Sequence, residues 1–240
     1  MIRVAAAADV HYGPDTEGVL RPHLERLPEV ADVLLLAGDL TQHGLADEVR
    51  VLADELAPVE VPVIAVLGNH DHHSDEQDLI RKLMEQAGVI MLEGESHVLD
   101  VDGRRLGVAG VKGFGGGFAG ANATDFGERE MKEFVWASKA SADRLAHALE
   151  GLRADVRIAL THYSPVKDTL HGEPPEIFPF LGSYLLAEAV DAAGADLAVH
   201  GHAHRGQDQG VTPGGIPVRN VAQPVIRRPY RVFQLDGLPS

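Results

Sequence analysis

The sequence predicts an α/β fold on a mixed sheet, and three observations carry that expectation. Apolar runs of strand length recur, helix-like segments separate the early ones, and two further strand-like runs come last. The runs are IRVAAAADV (2–10), DVLLLAGDL (32–40), VPVIAVLGN (61–69), RLGVAGV (105–111), VRIALTH (156–162) and DLAVHGH (196–202). All but RLGVAGV are continuously apolar rather than alternating, the pattern of central strands covered on both faces. Residues 44–57 place Leu45, Val49, Leu52 and Leu56 on one helical face. Residues 75–87 follow Ser74 as an N-cap and carry Glu76 and Asp78 in the first turn. Residues 138–152 align Leu145, Ala148, Leu149 and Leu152, and 183–193 form a fourth helix. The segments GIPVRNVAQ (215–223) and YRVFQLD (230–236) read as the late strands. No linker or repeat interrupts the pattern, so residues 1–240 are expected to form a single domain. Two connections exceed the usual length, the glycine-rich 112–137 and the proline-rich 164–182, and each is a candidate lid or binding loop.

Composition narrows the chemistry. Apolar residues make up 45% and charged residues 24%, ordinary for a soluble globular chain. The absence of cysteine excludes disulfides, thiolate catalysis and Cys-ligated zinc or iron–sulfur sites. A net charge of −15 argues against a long nucleic acid as partner, because such binding relies on many Lys and Arg. The start MIRVAAAADVHYG lacks the regions of a secretory signal, and no stretch approaches the ~20 apolar residues of a membrane span. A soluble, cytoplasmic protein without membrane contact is expected.

The apolar runs end alike. The first ends in Asp9-Val10-His11, the second in Gly38-Asp39, the third in Gly68-Asn69-His70-Asp71, the fifth in Thr161-His162, and the sixth in His200-Gly201-His202-Ala203-His204. Ligands gather outside the carboxyl ends of strands in open α/β sheets, so five strands aim seven polar groups at one rim. Side chains at i and i+2 of an extended segment share a face, which would pair Asp9 with His11 and His202 with His204. Gly38, Gly68 and Gly201 precede candidate ligands, where close backbone approach or unusual dihedrals are expected. Carboxylate, imidazole and amide oxygen without thiolate suit Mn, Fe, Zn and similar cations.

This ordered set, Asp-x-His, Gly-Asp, Gly-Asn-His-Asp, a lone His and Gly-His-x-His, resembles that of the calcineurin-like metallophosphoesterases and runs from position 9 to 204 with no element missing. The resemblance implies a four-layer αββα sandwich of two mixed β-sheets with a two-metal centre between them. It implies that Asp9, His11 and His204 hold one divalent cation, that Asn69, His162 and His202 hold the other, and that Asp39 bridges them. It further implies a metal-bridging hydroxide as nucleophile, with His70 facing the substrate as general acid or phosphoryl-charge stabiliser. The expected reaction is hydrolysis of a small phosphorylated substrate, with phosphodiesters such as cyclic nucleotides preferred. A phosphomonoesterase, a nucleotide pyrophosphatase and a non-catalytic scaffold are the alternatives.

The sequence departs from the protein serine/threonine phosphatases of that family, which carry Gly-Asp-x-Val-Asp-Arg-Gly. Here the stretch is Gly38-Asp39-Leu40-Thr41-Gln42-His43-Gly44, closer to the small bacterial branch that includes class III cyclic nucleotide phosphodiesterases. His43 is a candidate substrate contact, with a helix-start role as its alternative. Asp71 is expected to orient or cap, and His72 and His73 to lie outside the ligand set. Gly115-x-Gly117-x-x-Gly120 matches a dinucleotide fingerprint only formally, since no apolar helix follows, and is read as a flexible loop. His171 and Glu173 are read as loop polarity within reach of the rim. His23, His97 and His147 are read as surface residues, and His200 as a buried, hydrogen-bonded neighbour of the ligands.

Overall fold

The structure, a computed structural model, describes residues 1–236. Its strands are β1 (Ile2–Ala7), β2 (Val33–Ala37), β3 (Val63–Val66), β4 (Ile90–Met91), β5 (Glu95–Val101), β6 (Arg104–Val111), β7 (Gly117–Phe118), β8 (Ala121–Asn122), β9 (Val156–Thr161), β10 (Leu197–His200), β11 (Gln209–Val211), β12 (Pro217–Asn220) and β13 (Arg231–Leu235). One sheet has the order β13-β1-β2-β3-β4 and the other β11-β12-β10-β9-β6-β5. Neighbours from β1 to β4 are parallel, and β13 closes that sheet antiparallel to β1. In the second sheet β12, β10, β9 and β6 run parallel between antiparallel edges β11 and β5. Both sheets are therefore mixed.

The continuous apolar runs have a direct explanation. In β2, Val33, Leu35 and Ala37 point into the layer between the sheets, where they join Val108, Ile158, Leu160 and Val199. Leu34 and Leu36 point the other way, onto a core shared with Val49, Leu52, Ile80 and Met84 of the helices Ala46–Leu56 and Gln77–Gln86. The second sheet is covered by helices Arg129–Glu150 and Tyr184–Ala193, through Leu145, Leu149, Leu186 and Val190. Both faces of each sheet's central strands are thus apolar contacts, and the result is the αββα sandwich.

Several boundaries differ from the sequence expectation. The helix expected over 138–152 begins at Arg129, so the long connection after β6 is shorter than 112–137 and contains the β7–β8 hairpin. The apolar periodicity is weak in the first turns because Met131 and Trp136 stay exposed there. The formal dinucleotide motif folds into that hairpin. Segment 164–182 is not an open loop, since Thr169 and Leu170 are buried and Ser164 bridges to Gly182. Leu45 sits at the N-cap and is exposed rather than inward-facing. Ser74 caps no helix, because its hydroxyl donates to His43 O at 2.6 Å and the helix starts three residues later. The strand β5 carries alternating exposure at the sheet edge, which hid it from a search for apolar runs. Among the described residues no helix is long and apolar enough to cross a membrane.

Leu35 is fully buried between the sheets, whereas Val98 on the edge strand is 41% exposed. Leu35→Ala is expected to lower the unfolding free energy by about 3 kcal/mol, as large-to-small core replacements do. Val98→Ala should stay within about 0.5 kcal/mol of the parent. Urea titration measures both, and equal small losses would show that the inter-sheet layer is not the core.

Candidate metal centre

Every candidate ligand lies just beyond a strand's carboxyl end. Asp9 and His11 follow β1, Asp39 follows β2, Asn69 and His70 follow β3, His162 follows β9, and His202 and His204 follow β10. The strands stop earlier than the apolar runs, so these residues are not in extended backbone. Asp9, His11, Asp39 and His202 all adopt left-handed dihedrals, with φ of 56°, 44°, 50° and 69°. Strand alternation therefore does not pair Asp9 with His11; sharp turns do. Each turn is tied to its neighbour through the backbone, with Asp9 N–H donating to Gly38 O at 3.0 Å and His11 N–H to Asp39 O at 3.1 Å.

Two groups of donors result, Asp9–His11–Asp39–His204 and Asp39–His162–His202, each with ligand atoms within 4.8 Å of one another. Either could hold a metal ion, and Asp39 belongs to both. The pair His202 and His204 is divided between them. Asn69 joins the second group, its Oδ1 lying 2.9 Å from His162 Nε2. His162 Nδ1–H donates to Ala37 O at 2.9 Å, which fixes the tautomer and leaves Nε2 as the free ligand atom. Glycine is required at the closest approach. A Cβ on Gly68 would sit 2.1 Å from Asp39 Oδ1, and one on Gly38 2.6 Å from His162 Nδ1.

The charges are arranged to match. Burial would raise the Asp9 carboxyl, but the hydrogen bond with the His204 ring at 2.8 Å, the nearby His162 ring and the His202 N–H hold it below its ordinary value. His204 is correspondingly raised by that hydrogen bond. Burial pushes His11 down and drives His202 down to about 4, so both rings are neutral at pH 7 and can donate a lone pair.

Around this cluster stands a supporting layer. Asp71 is fully buried and accepts from Gly68 N–H at 2.7 Å, Leu40 N–H at 3.1 Å, Thr41 N–H at 2.9 Å and Thr41 Oγ1–H at 2.6 Å. It joins the turns that present Asp39 and Asn69, and burial pushes its carboxyl up to about 6. His200, also fully buried, donates from Nδ1–H to Gly201 O at 2.7 Å and lies 2.8 Å from Thr169 Oγ1. His70 Nδ1–H donates to Gln42 O at 2.6 Å, which turns Nε2 toward Asp39 Oδ2 at 3.9 Å.

His43 is outside both groups. Its ring lies 2.8 Å from Glu48 Oε1 and its N–H donates to Glu48 Oε2, which ties it to the start of helix Ala46–Leu56. His72 is half-buried and His73 exposed. Glu173 accepts from Arg205 N–H at 2.7 Å, beside His204, while His171 is exposed. His23 and His147 are exposed, and His97 is half-buried on β5.

Two residues escaped the sequence reading, Lys112 and Tyr163. The Lys112 ammonium lies 5.1 Å and 5.2 Å from the ring centres of Phe114 and Tyr163, with no ion-pair partner among the described residues. Tyr163 lies 4.4 Å from the His202 ring, and its neighbour Phe114 continues an aromatic wall to Phe134 and Phe180. The available signal was their place directly after an apolar run and after His162.

The phosphopantetheinyl hydrolase of Mycobacterium tuberculosis superposes with a TM-score of 0.68 at 19% identity, covering 99% of this chain and 97% of that one. TT1561 of Thermus thermophilus gives 0.56 at 19% identity, with coverage of 91% and 88%. GAP50, the anchor in the inner membrane complex of Plasmodium, gives 0.55 at 13% identity, with coverage of 93% and 72%. These are likenesses of fold. No curated protein matches the chain. A model of the calcineurin-like phosphoesterases matches residues 2–206, a span that includes all five polar strand ends, and the chain belongs to that family.

Proposed function

We propose that the chain is a two-metal phosphoesterase acting on a small phosphorylated substrate, with phosphodiesters such as cyclic nucleotides preferred. The observation that supports this reading is the buried Asp39 carboxylate, common to two donor groups. Asp9, His11 and His204 would hold one divalent cation and Asn69, His162 and His202 the other, with Asp39 between them. The nitrogen and oxygen donors suit Mn, Fe or Zn. A cation pair there would supply Lewis-acid stabilisation of a phosphoryl oxygen and make water acidic enough to react at neutral pH.

The chain's own residues supply the rest. With Nδ1–H committed to Gln42 O, a protonated His70 presents Nε2–H toward the substrate and can hand that proton to the leaving oxygen. Its side chain is 42% exposed, so a substrate can reach it. Lys112 would meet a non-bridging phosphate oxygen on the His162–His202 side. Asp71 and Gly68 keep the Asp39 and Asn69 turns in place. His43 would be a substrate contact at the outer rim, held there by Glu48.

Reconstitution with Mn is expected to give about two ions per chain by elemental analysis, the occupancy of a two-metal site. Asp39→Ala should lose both ions together while retaining the circular dichroism of the parent. Loss of one ion alone would overturn the bridging role, and no specific binding by the parent would overturn the site.

A hydrolysis screen of model diesters, model monoesters and cyclic nucleotides tests the reaction itself. Diesters are expected to turn over fastest; faster monoester turnover would reverse the preference, and none at all would leave a scaffold. In the same screen His70→Ala should keep its metals and lose about 10²–10⁴ in turnover, more for poor leaving groups than for activated aryl esters. Equal losses would assign His70 to phosphoryl-charge stabilisation, and unchanged rates would remove it from the reaction.

A further inference from the structure

A cleft of ≈ 760 Å³ opens where edge strand β13 of one sheet and the segment leading into edge strand β11 of the other both form walls. None of the seven candidate ligands lines it, yet it begins beside them. Gly206 in its wall is two residues past His204, and Arg231 pairs across the sheet with Ala6, close before Asp9. A smaller hollow of ≈ 320 Å³ shares His23 and Arg228 with it. That hollow is also lined by Gln223, whose N–H donates to Ala8 O at 3.0 Å, next to Asp9. One end of the two hollows thus reaches the chain beside Asp9 and His204, and the other, walled by Arg26 and Val30, lies by Glu29, whose carbonyl accepts from Arg3 near the start of β1.

Charge sets this cleft apart. The chain carries 36 acidic against 21 basic residues, but the cleft wall presents Arg26, Arg228 and Arg231 against a single carboxylate, Asp208. That is a local reversal of sign, which concentrates anions where the rest of the surface repels them. Arg231 is paired with Asp208 and Arg26 with Glu29, whereas Arg228 has no hydrogen bond or ion pair among the described residues. The guanidinium fork matches a phosphate better than any other basic side chain does. Val30, Val225, Ile226 and Val232 add apolar wall between the arginines. The volume falls in the range of small-ligand sites, ~300–1,000 Å³.

We propose that this cleft is an anion subsite for a second phosphate group of the substrate. Among small phosphoesters, one that carries a second, separate phosphate is then bound more tightly, with one phosphate at the donor cluster and the other against Arg26, Arg228 and Arg231. The assignment of the reacting phosphate rests on the phosphoesterase reading above, whereas affinity of the cleft for phosphate requires no metal.

Two measurements separate these. Metal-stripped protein titrated calorimetrically with inorganic tripolyphosphate should bind it saturably, one per chain. The double variant Arg26→Ala/Arg228→Ala should bind about tenfold or more weakly, the loss expected for charge-assisted hydrogen bonds, at an unchanged melting temperature. No binding by the parent, or equal binding by the variant, overturns the subsite.

With Mn-loaded protein, adenosine 3′,5′-bisphosphate should inhibit bis(p-nitrophenyl) phosphate hydrolysis about tenfold better than adenosine 5′-monophosphate, again the scale of one such contact. The variant should erase that ratio. Equal inhibition in the parent overturns the proposal. If the Mn-loaded protein hydrolyses no phosphoester, the catalytic reading fails, and the tripolyphosphate titration still decides the cleft.

Discussion

The donor cluster depends on one backbone constraint, that β1, β2 and β10 leave the sheets through left-handed turns at residues that carry the chemistry. Asp9, His11, Asp39 and His202 all have positive φ, a region that costs an L-residue about 1–2 kcal/mol relative to its ordinary conformations. Four such residues amount to several kcal/mol, a sizeable share of a domain's net stability of roughly 5–15 kcal/mol. The turns persist because they hold one another. Asp9 hydrogen-bonds to Gly38, His11 to Asp39, Tyr12 to Leu40, and Gly201 to His162, so no turn can relax alone. A strand that continued straight would carry its polar side chains past the rim instead of folding them inward.

The same crowding governs composition around the cluster. The Gly68 backbone touches the Asp39 carboxylate so closely that no side chain fits, and Asp71 ties both turns together from beneath. Buried carboxylates and imidazoles in so small a space are unfavourable unless they neutralise one another or meet cations. Asp9 achieves this with His204, and burial keeps His202 and His11 uncharged. The ordering of charge follows from depth: Asp9, Asp39 and His162 lie buried, and the His70 and His204 rings stand nearer solvent.

Segment 164–182 shows how support and access can share a stretch of chain. Its Thr169 meets the buried His200, and its Phe180 carbonyl accepts from His202 Nε2–H at 3.3 Å. It braces the β10 turn from one side and, through Phe180, extends the aromatic wall beside Lys112. Much of its length is taken up by short helical turns packed into the structure.

The α/β class, the central strands and the candidate ligands were all readable in the sequence, because burial on both faces leaves unbroken apolar runs and polar residues end those runs abruptly. The β5 edge strand was not, since its exposed alternation resembles polar loop, nor was the first half of helix Arg129–Glu150, whose early turns meet solvent. The division of His202 and His204 between two donor groups was implied only by family resemblance, and strand periodicity pointed the wrong way. Left-handed turns decide that division, and only contacts between turns from distant parts of the chain make such dihedrals stable. The supporting role of segment 164–182 and the arginine-lined cleft belong wholly to tertiary structure. Each arises where segments far apart in sequence meet, and local patterns of charge and hydropathy carry no record of that meeting.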